Sequence, residues 1–120
     1  MIKTKRVYET PEPSDGKRFL VDRLWPRGLN KDQLKMDSWL KDVAPSDNLR
    51  KWFGHDREKW EEFQRRYRAE LENRPEVWKV ILEAEETGNV TLIYSARDEQ
   101  HNNAVVLKGY LEEQKRAQEN

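Results

Sequence analysis

Gly88-Asn89-Val90-Thr91-Leu92-Ile93-Tyr94-Ser95-Ala96-Arg97-Asp98 contains the clearest strand in the chain. Val90 to Tyr94 is an unbroken run of branched, aliphatic and aromatic side chains, with a glycine before it and a polar turn after it. Ahead of it, Pro75 suits the first position of a helix, where a missing N–H leaves nothing unpaired. Val77, Trp78, Ile81, Leu82 and Ala84 mark the buried side of that helix, and Gly88 reads as its C-terminal cap. Beyond the strand, a last helix is expected from about Glu99 to Gln118, with Asp98 as its cap and Ala104, Leu107, Tyr110 and Leu111 facing inward. Helix, strand and helix in succession favour an α/β layer architecture over an all-helical bundle.

The N-terminal half supplies the partners. Ile2 to Tyr8 alternates in character and reads as a short edge strand, followed by a loop carrying Pro11, Pro13 and the Asp15-Gly16 pair. Phe19-Leu20-Val21, ending in Asp22, is a second strand, apolar enough to be buried on both faces. Trp25-Pro26-Arg27-Gly28 stops it. A short helix is expected over Asn30–Leu40, capped by Asn30, with Leu34 and Met36 inward. Another starts at Ser46 and stops at Gly54. From Asp56 onward, Trp60, Phe63, Tyr67 and Leu71 recur at steps of three and four, the stripe of an amphipathic helix about four turns long. The expected fold is α/β: a small sheet of about three strands, at least partly parallel, packed with about five helices in layers. A single domain over residues 1–120 is expected, with its core in 2–113 and a frayed end at 116–120. The direction of the first strand stays open.

Composition narrows the function. The 120 residues hold 23 basic and 23 acidic side chains, so 38% of the chain is charged while its formal net charge is zero. Balanced charge with 10% aromatic residues points to a folded domain rather than disorder. The absence of cysteine excludes a disulfide framework, a thiolate metal site and a cysteine nucleophile. Two histidines without metal-ligand spacing give no metal set, and no cofactor is assigned. No apolar run approaches the ~18 residues of a membrane span, and Met1–Lys5 does not resemble a signal peptide, so a cytoplasmic protein without a membrane partner is expected. The usual glycine-rich phosphate loops are missing, and Ser95 has no GxSxG around it.

If the second and last strands run parallel, their carboxyl ends share one edge of the sheet, where open α/β sheets hold ligands. That edge gathers Asp22, Arg23, Trp25 and Arg27 with Ser95, Arg97, Asp98 and His101, followed by Asn102 and Asn103. Guanidinium groups are shaped for carboxylate and phosphate. Arg23, Arg27 and Arg97 are therefore candidate anion ligands, with Trp25 as a wall and Ser95, Asp98, Asn102 and Asn103 as further binding groups. Asp22 and His101 are candidate acid–base residues. Each has a plainer role open to it: Asp22 with Arg23 as a strand-end ion pair, Trp25-Pro26 as a core plug, Ser95 satisfying a turn, Asp98 capping the last helix, His101 as an exposed first-turn residue. A second cluster, Arg50, Lys51, Trp52 and His55, reads either as an alternative binding surface or as an aromatic plug against Trp60.

The leading expectation is a small anionic ligand, a nucleotide or phosphorylated metabolite, with hydrolase or transferase chemistry open. A nucleic-acid-binding or regulatory module is the alternative, using Arg50, Trp52, Arg65 and Arg66, although zero net charge argues against it. A third reading is a protein–protein interaction domain anchored on Trp52 or Trp39. Oligomeric state is undetermined.

Four stretches carry a family likeness: Val21-Asp22-Arg23-Leu24-Trp25-Pro26-Arg27-Gly28; Ala44-Pro45-Ser46 through Leu49-Arg50-Lys51-Trp52-Phe53-Gly54-His55; Trp60…Phe63…Tyr67…Glu70-Leu71; and Thr91-Leu92-Ile93-Tyr94-Ser95-Ala96-Arg97-Asp98…His101-Asn102-Asn103-Ala104. Together they resemble the YeaO-like family of small bacterial and archaeal proteins, a domain of unknown function, over about residues 2–113. The resemblance implies a compact α/β domain in a bacterial or archaeal cell, and no activity, substrate or cofactor. More distant relatives look as if they carry cysteines near the ends of the corresponding strands. This chain has none, so thiol chemistry does not transfer to Ser95 or its neighbours.

Overall fold

The computed structural model describes residues 1–119. Its sheet has four strands, β1 (Ile2–Arg6), β2 (Lys17–Leu20), β3 (Ser38–Trp39) and β4 (Val90–Tyr94), in the order β1-β4-β2-β3. Every pairing is parallel: Ile2 lies beside Val90, Phe19 beside Leu92, and Phe19 also beside Ser38. The direction that the sequence leaves open for β1 is thus parallel to β4. Four α-helices follow β3 or flank β4: α1 (Asp47–Phe53), α2 (Trp60–Asn73), α3 (Pro75–Glu85) and α4 (Asn103–Glu119). Single 3-10 turns occupy Pro13–Asp15, Lys41–Val43 and Arg57–Lys59. The fold class agrees with expectation, with one strand more and one helix fewer. Residue 120, at the end of the segment expected to fray, lies outside the described residues.

The missing helix and the extra strand are one event. Asn30 and Gln33 exchange side-chain hydrogen bonds with each other's backbone N–H, and Leu34 N–H reaches Asn30 C=O (3.0 Å), which starts a helical turn. The turn does not propagate, because β2 takes the next backbone groups. Arg18 Nε donates to Lys35 C=O, Asp37 N–H donates to Arg18 C=O (2.8 Å), and Leu40 N–H donates to Leu20 C=O (2.8 Å). Cross-strand bonds thereby outcompete the helix over 35–40, and Ser38–Trp39 becomes β3 at the sheet edge.

Alternation along the strands divides the core in two. Phe19, Val21, Val90, Leu92 and Tyr94 face the helices, packing with Phe63, Tyr67 and Leu71 of α2, Trp78 and Ile81 of α3, and Leu107 and Leu111 of α4. Val7, Leu20 and Ile93 face the opposite side with Leu34, partly covered by Trp25, Leu29, Met36 and Trp39. That second face has a layer of loops over it instead of helices. Buried polar groups are paired inside the first core: Tyr67 Oη donates to Val43 C=O (2.6 Å), and Trp78 Nε1 donates to Leu71 C=O (2.8 Å).

Helix ends follow the sequence signals with two exceptions. Ser46 caps α1, its Oγ accepting from Leu49 N–H (3.2 Å), and Gly54 closes it in the left-handed region at φ 53°. Gly88 is not in that region, and the C-terminal cap of α3 is Glu86. α4 begins four residues later than expected, at Asn103. Asp98 spends its Oδ1 on the N–H groups of Gln100 and His101 in a turn, and Asn102 Oδ1 receives Val105 N–H (3.0 Å) in its place.

Candidate functional site

Because β1, β2 and β4 are parallel, residues 6–8, 22–27 and 95–98 leave the same edge of the sheet. α1 closes over that edge and leaves a cavity of about 860 Å³. Asp22, Arg23, Trp25, Arg27, Ser95, Arg97, Asp98, Asn102 and Asn103 all line it, and so do Arg50 and His55. The two clusters that the sequence presents as alternatives are therefore walls of one cavity. His101 and Trp52 are not among the lining residues. His101 bonds Asp98 through Nδ1 (3.0 Å) and meets the Trp60 ring edge-on at 5.1 Å. Trp52 is covered by the guanidinium of Arg66, 4.2 Å from its ring centre, and by the Lys59 ammonium at 5.1 Å.

Asp22 is the most constrained group. Its Oδ2 accepts from both Ser95 N–H (2.9 Å) and Ser95 Oγ (2.8 Å), and its Oδ1 accepts from Asn103 Nδ2 (3.2 Å). Asn103 Nδ2 also reaches Val21 C=O (2.9 Å), so the amide stitches the last helix to the end of β2. Burial pushes the Asp22 carboxyl above its ordinary value, opposed by the Ser95 and Asn103 bonds and by nearby His55. His55 itself has φ 59°, the one non-glycine residue with positive φ among those described, directly after left-handed Gly54. Two successive left-handed residues turn the chain sharply where α1 ends and bring His55 to the cavity wall.

The cationic groups divide by occupation. Arg23 donates to Pro45 C=O (2.9 Å) and Ala44 C=O (3.3 Å), with Asp47 at 3.9 Å, and so ties the end of β2 to the segment before α1. Arg6 donates to Ala96 C=O (2.9 Å) and lies over the Tyr8 ring at 5.1 Å. Arg50 pairs with Asp47 at 3.4 Å, and its Nε is buried without an acceptor among the described residues. Arg27, Lys51 and Arg97 are exposed and take part in none of the ion pairs among the described residues. In all, five arginines and a lysine line the cavity, against only two aspartates. The apolar part of the wall comes from Leu24, Trp25, Pro26, Pro45, Phe53 and Phe63.

Arg6 and Tyr8 belong to the site without having been read from the sequence; placing them there needs the direction of β1. Arg57 is a further addition, its Nε donating to Asp98 Oδ2 (3.0 Å) and clasping the turn after α1 to the loop after β4. No spacing signal links residues 57 and 98. No group of three or more His, Asp or Glu side chains able to hold a metal occurs among the described residues, and none of the described helices is long and apolar enough to cross a membrane.

The chain belongs to the family described as the inactive DUF488-N3 subclade, which matches residues 1–120. It is similar to the uncharacterized protein YeaO of Escherichia coli (strain K12), 42% identical over 110 residues, covering 92% of this chain and 96% of that protein. The uncharacterized protein Rv3073c of Mycobacterium tuberculosis (strain H37Rv) is 50% identical over 70 residues, 58% of this chain and 59% of that protein, and Mb3100c of Mycobacterium bovis matches to the same extent. The YeaO-like resemblance carried by the four motifs is thereby shown. No solved structure matches the chain.

Proposed function

We propose that this member of an inactive DUF488-N3 subclade is a binding protein for an anionic small molecule, a nucleotide or phosphorylated metabolite, held in the cavity at the carboxyl edge of its sheet. The observation that carries the reading is the charge around the cavity: six cationic side chains against two aspartates, in a chain whose net charge is zero. Such a concentration of one sign in a concave, partly apolar site raises the local concentration of the opposite charge. Arg27, Lys51 and Arg97 have their charges free for a ligand, and buried Arg50 Nε is a donor that a ligand oxygen would satisfy. The family description favours binding without turnover over the hydrolase or transferase alternative. The ring face of Trp52 is already covered by Arg66, which speaks against its use as a base-stacking platform for nucleic acid.

A thermal-shift panel of nucleotides, sugar phosphates, inorganic anions and short oligonucleotides tests this. A ligand at about 100 times its Kd stabilises the fold by about 2.7 kcal/mol, a rise of roughly 8–10 °C for a domain of this size. The expected result is a rise with a small anion that disappears in Arg97→Ala, while the unliganded melting temperature of that variant stays within about 1 °C of the parent. A rise with oligonucleotides alone, falling steeply with salt, would replace this reading by the nucleic-acid one.

A further inference from the structure

Asp22 is an anomaly in a cationic cavity. Six cationic side chains line the space, yet none forms an ion pair with it among the described residues; its three hydrogen bonds come from the neutral donors of Ser95 and Asn103. Those donors lie on β4's exit and the start of α4, so the carboxylate is fixed from two elements and cannot swing to meet an arginine. A carboxylate offers about four acceptor positions. Oδ2 takes two donors and Oδ1 takes one, which leaves acceptor capacity on Oδ1 in a residue that lines the cavity.

We infer that Asp22 sets the specificity of this cavity, rejecting anions that present only acceptors, such as sulfate, and admitting organic phosphates or carboxylates that also carry an N–H or O–H donor. The inference rests on the anion-binding reading and deepens it. A fixed negative group beside an anion site repels any ligand that presents only acceptors, and discrimination of this kind works by penalising the wrong ligand as much as by rewarding the right one. A ligand that turns a donor toward Oδ1 converts the repulsion into a charge-assisted hydrogen bond, among the stronger single contacts available. The cavity volume of about 860 Å³ is many times the roughly 30 Å³ of a water molecule, and its Trp25, Pro26 and Phe53 wall matches an organic body rather than a lone oxyanion.

Calorimetry at pH 8, where phosphate monoesters (second pKa about 6) carry no O–H, with sulfate, phenyl phosphate, and 3- and 4-aminophenyl phosphate separates the possibilities. In the parent protein at least one aminophenyl phosphate should bind about tenfold tighter than phenyl phosphate, the size of one charge-assisted hydrogen bond, and sulfate should bind weakest. In Asp22→Asn the discrimination narrows: sulfate gains affinity by about tenfold, while the amino preference shrinks to within about twofold. Equal binding of the amino and unsubstituted phenyl compounds to the parent protein would overturn the inference without needing a variant, and an Asp22→Asn protein that binds sulfate no better would also overturn it. The anion-binding reading fails separately: it falls if none of the four compounds binds, or if Arg97→Ala binds them as the parent does.

Discussion

Asp98 shows how one side chain can be committed to structure inside a candidate site. It accepts from Gln100 N–H (3.0 Å), and His101 and Arg57 add their own bonds, which together hold its carboxyl far below the usual carboxylate range. A depressed folded-state pKa contributes stability that is present above the ordinary value of 3.8 and is lost as pH falls through the folded value. Asp98→Asn should therefore melt below the parent at pH 7, with the gap closing progressively as the pH is lowered beneath about 4; melting temperatures taken from pH 7 to 2 would check it, and a gap that stays constant would remove the charge from the account. At this scale the sequence was informative about identity and poor about allegiance. Asp22, Ser95 and Arg97 could be placed on one edge from strand ends alone. That Arg23 would turn to the Pro45 and Ala44 carbonyls, or that Arg57 would find Asp98 across 41 positions, depends on loop paths that no periodicity encodes.

Elements were legible where a local signal and a tertiary need agreed. Ser46 and Gly54 bracket α1 because a side-chain acceptor and a left-handed glycine suffice at its two ends. Glu70 of α2 then reinforces the start, accepting from Ser46 N–H (2.9 Å) and Ser46 Oγ (2.6 Å), so the cap also docks one helix on another. Over 30–40 the two disagreed: a good helix start lost its next carbonyl and amide groups to β2, and nothing in the local sequence announces that competition. Gly16 is the element-scale position with least tolerance. It sits at φ 64° just before β2, and a β-carbon there would lie 2.0 Å from Asn89 C=O, the same carbonyl that receives Lys17 N–H (3.0 Å). Gly16→Ala should cost about 3 kcal/mol or more, since backbone must move and the first β2–β4 bond moves with it; urea denaturation would measure it, and a loss under about 1 kcal/mol would mean the turn re-forms freely.

At the scale of the whole molecule, the sheet is covered by helices on one face and by loops on the other, and the cavity opens where the two coverings meet the carboxyl edge. Protection of backbone amides should follow that asymmetry. The five residues of β4, all buried and with Val90–Ile93 paired on both sides, are expected to exchange slowest, while the segment 23–37 exchanges first. Hydrogen-exchange mass spectrometry would reverse this picture if 23–37 proved as slow as β4. The strand order has a further consequence, in time rather than space. β4 lies between β1 and β2 yet comes last of the strands in the chain, so the two earlier strands have no neighbour to share until residue 94 has been made. At about 5–20 residues per second, a ribosome leaves Ile2–Arg6 and Lys17–Leu20 waiting on the order of 4–18 s in the nascent chain. The seam of this sheet is closed from its centre, by the strand made after the other three, and the cavity cannot exist before then.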